Sequence, residues 1–305
     1  MKFPSKSVAS GHIAMLTFSL LVSGSFVLGS IIANLIDPDL VTFLRFVIAF
    51  LLIAILIVFK DKLYLMKGLS PWKSLILGAL ISIYFITMFE GLKTANSTSM
   101  AVVFTLTPLL AGLFDLIFSN RVMSIKVWIT VIIAAIGALW IIFDGKVENL
   151  IQFKVGFGEK LFFIGCICHA LYASLIPKFN RGEPAIIQTF GTLISGVIIL
   201  GLFSNEKIIY SSWFDFPIIV LFTISYLAIF ATAASFFLIQ YSAIRLSSIK
   251  VMAYTYAVPI WVVLLQIFFF NQFPNKITFI GAFIIMISLV ILLFNEESGK
   301  NVKKH

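Results

Sequence analysis

The chain has 305 residues, of which 61% are hydrophobic and only 11% charged, with 33 phenylalanines among them. A soluble domain carries roughly 45–50% apolar and about 25% charged residues, so composition excludes an ordinary soluble protein. The net charge of +9 would suit nucleic acid, but the basic residues fall between long apolar runs, the pattern of a membrane protein, and no nucleic-acid partner is expected.

A bilayer crossing needs about 20 predominantly apolar residues, and ten such runs follow one another. The first, 11–33, comes after Lys2 and Lys6 and begins near His12. Its apolar core is too long for a signal peptide and no small-residue cleavage signature follows, so it reads as a span. The second, 40–59, holds Arg45; the third, 74–92, holds Tyr84 and Glu90; the fourth, 97–118, holds Thr105, Thr107, Pro108 and Asp115. The fifth runs over 127–143. The sixth, 157–177, contains "GCICHALYAS", residues 165–174, with His169 and Tyr172. Cys166 and Cys168, two apart on one helix, point to opposite faces and read as packing residues that neither bridge nor chelate. The seventh, 184–203, is followed by the eighth, 217–240, with Tyr226. The ninth, 248–270, carries Tyr254, Thr255, Tyr256 and Pro259, and the tenth covers 277–294. No metal and no cofactor is expected.

With a cytoplasmic N-terminus, the inner side receives Lys2, Lys6, Lys60, Lys62, Lys67, Lys73, Arg121, Lys126, Lys178, Arg181, Arg245, Lys250, Lys300, Lys303 and Lys304. The outer side receives Lys93, Lys146, Lys154, Lys160, Lys207 and Lys276. Positive residues favour the cytoplasm, so both termini are expected there, in the inner (plasma) membrane.

The chain also repeats itself. "NSTSMAVVFTLTPLLAGLFDLIFSN", residues 96–120, aligns without gaps on "SSIKVMAYTYAVPIWVVLLQIFFFN", residues 247–271, so that Pro108 meets Pro259 and Asn120 meets Asn271. Extending the match divides the chain into a five-span half over 1–143, an outer linker over 144–156, a second five-span half over 157–294 and a cytoplasmic tail over 295–305. An odd-numbered repeat enters the membrane from opposite sides, which predicts an all-α membrane protein of two inverted five-helix repeats. Each proline frees a carbonyl inside its helix, and that carbonyl must find a neighbour or a water-filled cavity. Thr105, Thr107, Tyr254, Thr255 and Tyr256 flank the two kinks; their hydroxyls either close onto their own backbone or meet a solute at the midplane.

These halves, with "FLRFVIAFLL", "EGLKTANSTSMAVVFTLTPLL" and "IRLSSIKVMAYTYAVPI", resemble the EamA-type branch of the drug/metabolite transporter superfamily over roughly residues 10–294. The resemblance implies ten helices, with the first, third, fourth, sixth, eighth and ninth lining a central cavity, and export of small metabolites or amino-acid-like compounds by alternating access. Members often carry Gly-Glu just past the fourth and ninth helices, where this chain has Asn120-Arg121 and Asn271-Gln272. They often carry Trp early in the first helix of each half, where this chain has Ser23 and His169, which would alter the cavity's contents.

Titratable groups inside spans are costly and by default mark function. His169, near the midplane and on the cavity side by the resemblance, is either a substrate or proton-carrying group or a neutral imidazole bonded to a neighbouring helix; a partner such as Tyr254 is expected. Glu90 either attracts a cationic group and exchanges protons, or pairs with Lys93 three residues on. Asp115 is the third candidate for proton coupling, with Arg121 or Lys126 as possible structural partners. Arg45 reads chiefly as a residue that holds helix ends through their carbonyls, and His12 and Arg245 as residues that reach the interface. Tyr84, Tyr172, Tyr226, Tyr254 and Tyr256 fall on helices that would line the cavity. Aromatic faces with a carboxylate bind ammonium groups, so the substrate-binding set is His169, Glu90, Tyr254, Tyr256, Tyr172, Tyr84, Thr105 and Ser23.

The resulting expectation is a secondary transporter, an exporter of amino-acid-like or amine metabolites, acting as monomer or homodimer. The alternatives are a flippase for a lipid or lipid-linked compound, which needs a lateral opening, and an intramembrane enzyme. The enzyme has least in its favour: there is no His-Glu-x-x-His, no pair of membrane aspartates and no Gly-rich phosphate loop.

Overall fold

The computed structural model describes residues 6–60, 63–119, 124–143, 145–148, 155–211 and 215–294. Every secondary-structure element among the described residues is a helix. In chain order the main elements are α1 (Lys6–Ile32), α2 (Pro38–Phe59), α3 (Pro71–Gly91), α4 (Ser97–Phe104, then Thr107–Ser119) and α5 (Ile125–Ile142). After the linker come α6 (Phe157–Phe179), α7 (Ala185–Phe203), α8 (Ile218–Ala243), α9 (Ser248–Phe270) and α10 (Lys276–Phe294). Nine helical stretches among the described residues are long and apolar enough to cross a bilayer. The apolar α10, 19 residues long, spans about 28 Å at 1.5 Å per residue. The predicted tail 295–305, the residues Asn120-Arg121 and most of the linker lie outside the described residues.

Local chemistry marks the helix ends. Pro38 and Pro71 open α2 and α3 at their first turn, where the missing N–H costs no hydrogen bond. Asn96 caps α4 by accepting from Ser99 N at 2.7 Å, and Asn271 closes α9 in the left-handed region at φ 55°, a common helix stop.

Among the described residues, three of the apolar helices are broken within their length. In α4 the helix yields at 105–106, just before Pro108. The proline lacks the N–H that would meet the Phe104 carbonyl, and the Thr107 hydroxyl donates to that carbonyl instead, at 2.8 Å. In α9 a 3₁₀ turn, Tyr254–Ala257, precedes Pro259 in the same way. The two breaks touch across the halves, with the hydroxyls of Thr107 and Thr255 3.1 Å apart. In α8 a π turn, Ile229–Ala234, interrupts the helix without a proline.

The core sits between α3, α6 and α7 and between α1, α8 and α9, while α5 and α10 pair at the side over a smaller cluster that includes Val131, Ala138, Tyr256 and Ile285. Without a hydrophobic drive between helices in lipid, close backbone approach holds such a bundle. Gly78 of α3 meets Ser195 and Gly196 of α7, where a Cβ would come within 2.7 Å of the Ser195 Cβ. Gly191 faces Ser74 and Leu69, and Gly29 of α1 lies under Phe89. With α1 running from the terminal face to the linker face, the α3–α4 and α9–α10 connections lie on the linker face, and the α6–α7 and α8–α9 connections on the terminal face.

Candidate functional site

α3 and α6 pack along their length, and their facing rings begin a closed loop of aromatic side chains in the middle of the bundle. Tyr84 lies 4.5 Å from His169 by ring centroids, His169 lies 6.2 Å from Tyr172, and Tyr172 lies 6.3 Å from Phe236 of α8. Phe236 stacks on Phe85 at 5.9 Å, and Phe85 returns to Tyr84 at 4.8 Å. Phe104 of α4 stands edge-on to His169 at 5.1 Å, and Phe18 of α1 is 6.4 Å away.

Buried polar groups normally find partners, yet around this loop several do not. The Tyr84 hydroxyl, His169 Nδ1 and the Gln240 carbonyl oxygen are buried with no hydrogen bond. Gln240, fully buried on α8, donates from Nε2 to the Tyr172 hydroxyl at 3.0 Å and to Thr192 Oγ1 at 3.3 Å. His169 is 3% exposed. The loop therefore combines aromatic faces, which favour cations, with buried polar atoms of Tyr84, His169 and Gln240 that no side chain satisfies.

Arg45 of α2 borders it. Its Nε donates to Thr232 Oγ1 at 2.6 Å and its Nη2 to the Ala231 carbonyl at 2.7 Å, both in the π turn of α8. A π turn releases carbonyls from the regular ladder, and the guanidinium takes one. The Arg45 Cζ stands 3.8 Å from the centre of the Phe85 ring.

The remaining sequence candidates fall elsewhere. Glu90 is at the linker-face end of α3, paired with Lys93 at 2.8 Å. The Tyr254 hydroxyl is 3.0 Å from His12 Nδ1, so it is His12 that meets Tyr254, and His169 keeps to the ring loop. Tyr256 is buried against α5 and α10, its hydroxyl unpartnered. Ser23 and Thr105 donate to their own backbone, to Leu20 O at 2.6 Å and Val102 O at 2.6 Å. The Tyr226 hydroxyl donates to the Leu21 carbonyl at 3.0 Å. Asp115 is buried low on α4, and Arg121 lies outside the described residues. Pro108 and Pro259 end the two crossing breaks. Sequence reading singled out neither Gln240 nor the phenylalanines of the loop; among 33 phenylalanines the sequence offers no signal that marks Phe85, Phe104 and Phe236.

Side chains tie the two halves together at both ends. On the linker face Thr98 donates to Gln266 Oε1 at 2.7 Å, Gln266 Nε2 to Ser97 Oγ at 2.8 Å, and Ser99 to Glu159 Oε1 at 2.7 Å. They border a polar cleft of about 450 Å³, also lined by Asn96, Gln272 and Asn275. Toward the terminal face, Ser10 meets Tyr241 at 3.0 Å, Ser242 donates to the Gly11 carbonyl at 3.0 Å, and His12 meets Tyr254. No group of three or more His, Cys, Asp or Glu that could hold a metal occurs among the described residues.

The chain is similar to several known proteins. An uncharacterized transporter, YyaM, of Bacillus subtilis is 26% identical over 74% of each chain. The S-adenosylmethionine uptake transporter of Rickettsia conorii is 24% identical over 87% of this chain and 85% of its own. An uncharacterized transporter of Archaeoglobus fulgidus is 23% identical over 90% and 93%. A solved crystal structure superposes with a TM-score of 0.71, covering 95% of this chain and 96% of that one at 17% identity, which speaks for the fold alone. The model of the EamA-like transporter family matches twice, over residues 9–143 and 156–294. With one copy of the family unit in each half of an apolar helical bundle, the chain belongs to the EamA-like transporter family, multi-pass membrane transporters and not enzymes.

Proposed function

We propose that the protein is a secondary transporter of small organic metabolites bearing an amino or ammonium group, bound within the loop of Tyr84, Phe85, His169, Tyr172 and Phe236 and moved by alternating access. The observation that carries this reading is the coincidence of closed aromatic faces with unpartnered buried atoms of Tyr84, His169 and Gln240. Aromatic faces stabilise a desolvated cation by about 2 kcal/mol or more, and a site with open hydrogen-bonding atoms discriminates against analogues that cannot fill them. The Rickettsia conorii relative is named for S-adenosylmethionine, an amino acid with a sulfonium cation, which falls in the same class. Of the proton-coupling candidates, Glu90 is held by Lys93 at the rim and Asp115 lies eleven residues past Phe104 on α4, about 16 Å along the helix, so His169 is the one a proton and the solute would share. The distribution of Lys and Arg supports an orientation with both termini cytoplasmic.

The lipid-flippase alternative calls for a lateral opening. An apolar recess of about 510 Å³ lies between α1, α8 and α9, lined by Gly24, Leu28, Phe222, Tyr226, Leu265 and Phe269 among others. Tyr226 is its one polar lining residue, and that hydroxyl is bonded to Leu21, so the recess offers nothing to a headgroup and the small-solute reading stands ahead.

The test is a thermal-shift screen of purified protein against amino acids, amines, sulfonium and quaternary ammonium compounds and purely anionic controls, since a ligand that binds the folded state raises apparent stability. Hits are then followed as flux in both directions in proteoliposomes, because the family resemblance carries export while the Rickettsia conorii relative is named for uptake. Stabilisation by cationic or zwitterionic compounds that is lost in His169→Ala is the expected result. A preference for purely anionic solutes overturns the reading.

A further inference from the structure

Arg45 is the most completely buried charge described in the molecule, 0% exposed at the level of the ring loop. A guanidinium presents five N–H donors in a rigid fork and keeps its charge at neutral pH. Two arms of the fork are accounted for by the π turn, through Thr232 and the Ala231 carbonyl. The third, Nη1, is buried and has no acceptor.

The charge is also uncompensated. The ion pairs among the described residues are Lys93 with Glu90 and Lys207 with Asp39, and neither involves Arg45. Neutral carbonyls and the face of Phe85 at 3.8 Å soften the burial, but they supply no negative charge. A cation inside a membrane protein calls for a partner, and one left without a counter-ion in a buried site is strongly destabilising. A purely structural staple for the π turn needs Nε and Nη2; it does not need an empty, sealed Nη1. Since the guanidinium stacks on Phe85, and Phe85 is in ring contact with Tyr84, the unfilled donor borders the loop where the solute is proposed to sit.

We propose that Arg45 is the carboxylate receptor of this site, so that the transported solute carries a carboxylate beside its amino group: the carboxylate meets Nη1 of Arg45 while the cationic group rests on the rings of Tyr84 and Tyr172. This rests on the reading of the ring loop as the solute site; what it adds is the residue that tells an amino-acid zwitterion from a plain amine. Arginine suits the task because its planar fork matches a carboxylate and lysine's point charge does not.

The experiment uses full-length protein and matched triads of probes, each an α-amino acid, its methyl ester and its decarboxylated amine, titrated by thermal shift on wild type and on Arg45→Lys. In wild type the free acid is expected to act at concentrations at least about tenfold below those of its ester and amine, the span of one lost charged hydrogen bond. In Arg45→Lys that preference is expected to collapse, the acid falling to the level of the ester and the amine measured on the same variant; an acid preference that survives in Arg45→Lys overturns the proposal. Wild type that accepts ester and amine as well as the acid overturns the proposal, makes Arg45 a staple for α8 and leaves the ring site standing. No member of any triad shifting wild type overturns both. Where Arg45→Lys does not fold, a wild type without an acid–ester difference still overturns the proposal, and Arg45→Gln takes the place of the lysine variant in assigning the preference to Arg45.

Discussion

The Tyr84 hydroxyl is buried without a partner, a condition that costs about 1–3 kcal/mol. Tyr84→Phe removes the hydroxyl and keeps the ring, so thermal unfolding should show a midpoint unchanged or raised. Affinity for the solute should fall about tenfold, the equivalent of one hydrogen bond. A lower midpoint with unaltered affinity would assign the hydroxyl to packing. Thr105→Val is the contrast: its hydroxyl closes on Val102, and binding should not change. At the rim, Lys207 donates to Asp39 at 2.7 Å, and that hydrogen bond pushes the ammonium above the ordinary lysine value. A raised value in the folded state means that the pair stabilises below the ordinary lysine range and that this is lost as pH rises through the folded value. With the Lys207 side chain half-exposed, the pair is worth less than about 1 kcal/mol, so Asp39→Asn should lower stability at neutral pH by no more than that in urea titrations. What was legible at this scale was local. Glu90 and Lys93 are three residues apart on one helix, and such neighbours can be read from spacing. His12 and Tyr254 are separated by 242 positions, and no periodicity announces that contact.

Among the elements, the broken helices divide in the same way. Pro108 and Pro259 announce their breaks because a missing N–H acts on the residue four positions back, and the Thr107 repair follows from its place beside the proline. The π turn of α8 carries no such mark. Its sequence, "IFATAA", is ordinary helix, and what stabilises the extra residue is Arg45 on α2 together with Thr232, whose hydroxyl donates to the Leu227 carbonyl at 2.7 Å. The close contact of Ser195 on α7 with Gly78 on α3 emerges only once the two helices are side by side. A methyl at Gly78 would sit 2.7 Å from Ser195 Cβ and 2.8 Å from Gly196 N, a backbone atom that cannot rotate away. Gly78→Ala is therefore expected to cost about 1–3 kcal/mol, the usual range for overpacking, seen as a lower unfolding midpoint. An unchanged midpoint would mean that α3 and α7 slide apart easily, the opposite of a rigid half.

For the whole molecule, both ends are bonded across the halves: Ser97, Thr98 and Ser99 to Gln266 and Glu159 on the linker face, and Ser10, Gly11 and His12 to Tyr241, Ser242 and Tyr254 toward the terminal face. The alternating access proposed above requires that the two sets break in turn, so that each set would bias one equilibrium in opposite directions. Gln266→Ala removes bonds from the linker face and should favour opening there; Tyr254→Phe removes the His12 bond and should favour opening at the terminal face. A loss of about 1 kcal/mol shifts such an equilibrium roughly fivefold. The measurement is maleimide labelling of Phe273→Cys, an exposed residue lining the linker-face cleft, in a background where Cys166 and Cys168 are serine. Labelling should rise with Gln266→Ala and fall with Tyr254→Phe. If both variants move it the same way, the two bond sets do not oppose one another, and the halves do not rock about the crossing of Thr107 and Thr255.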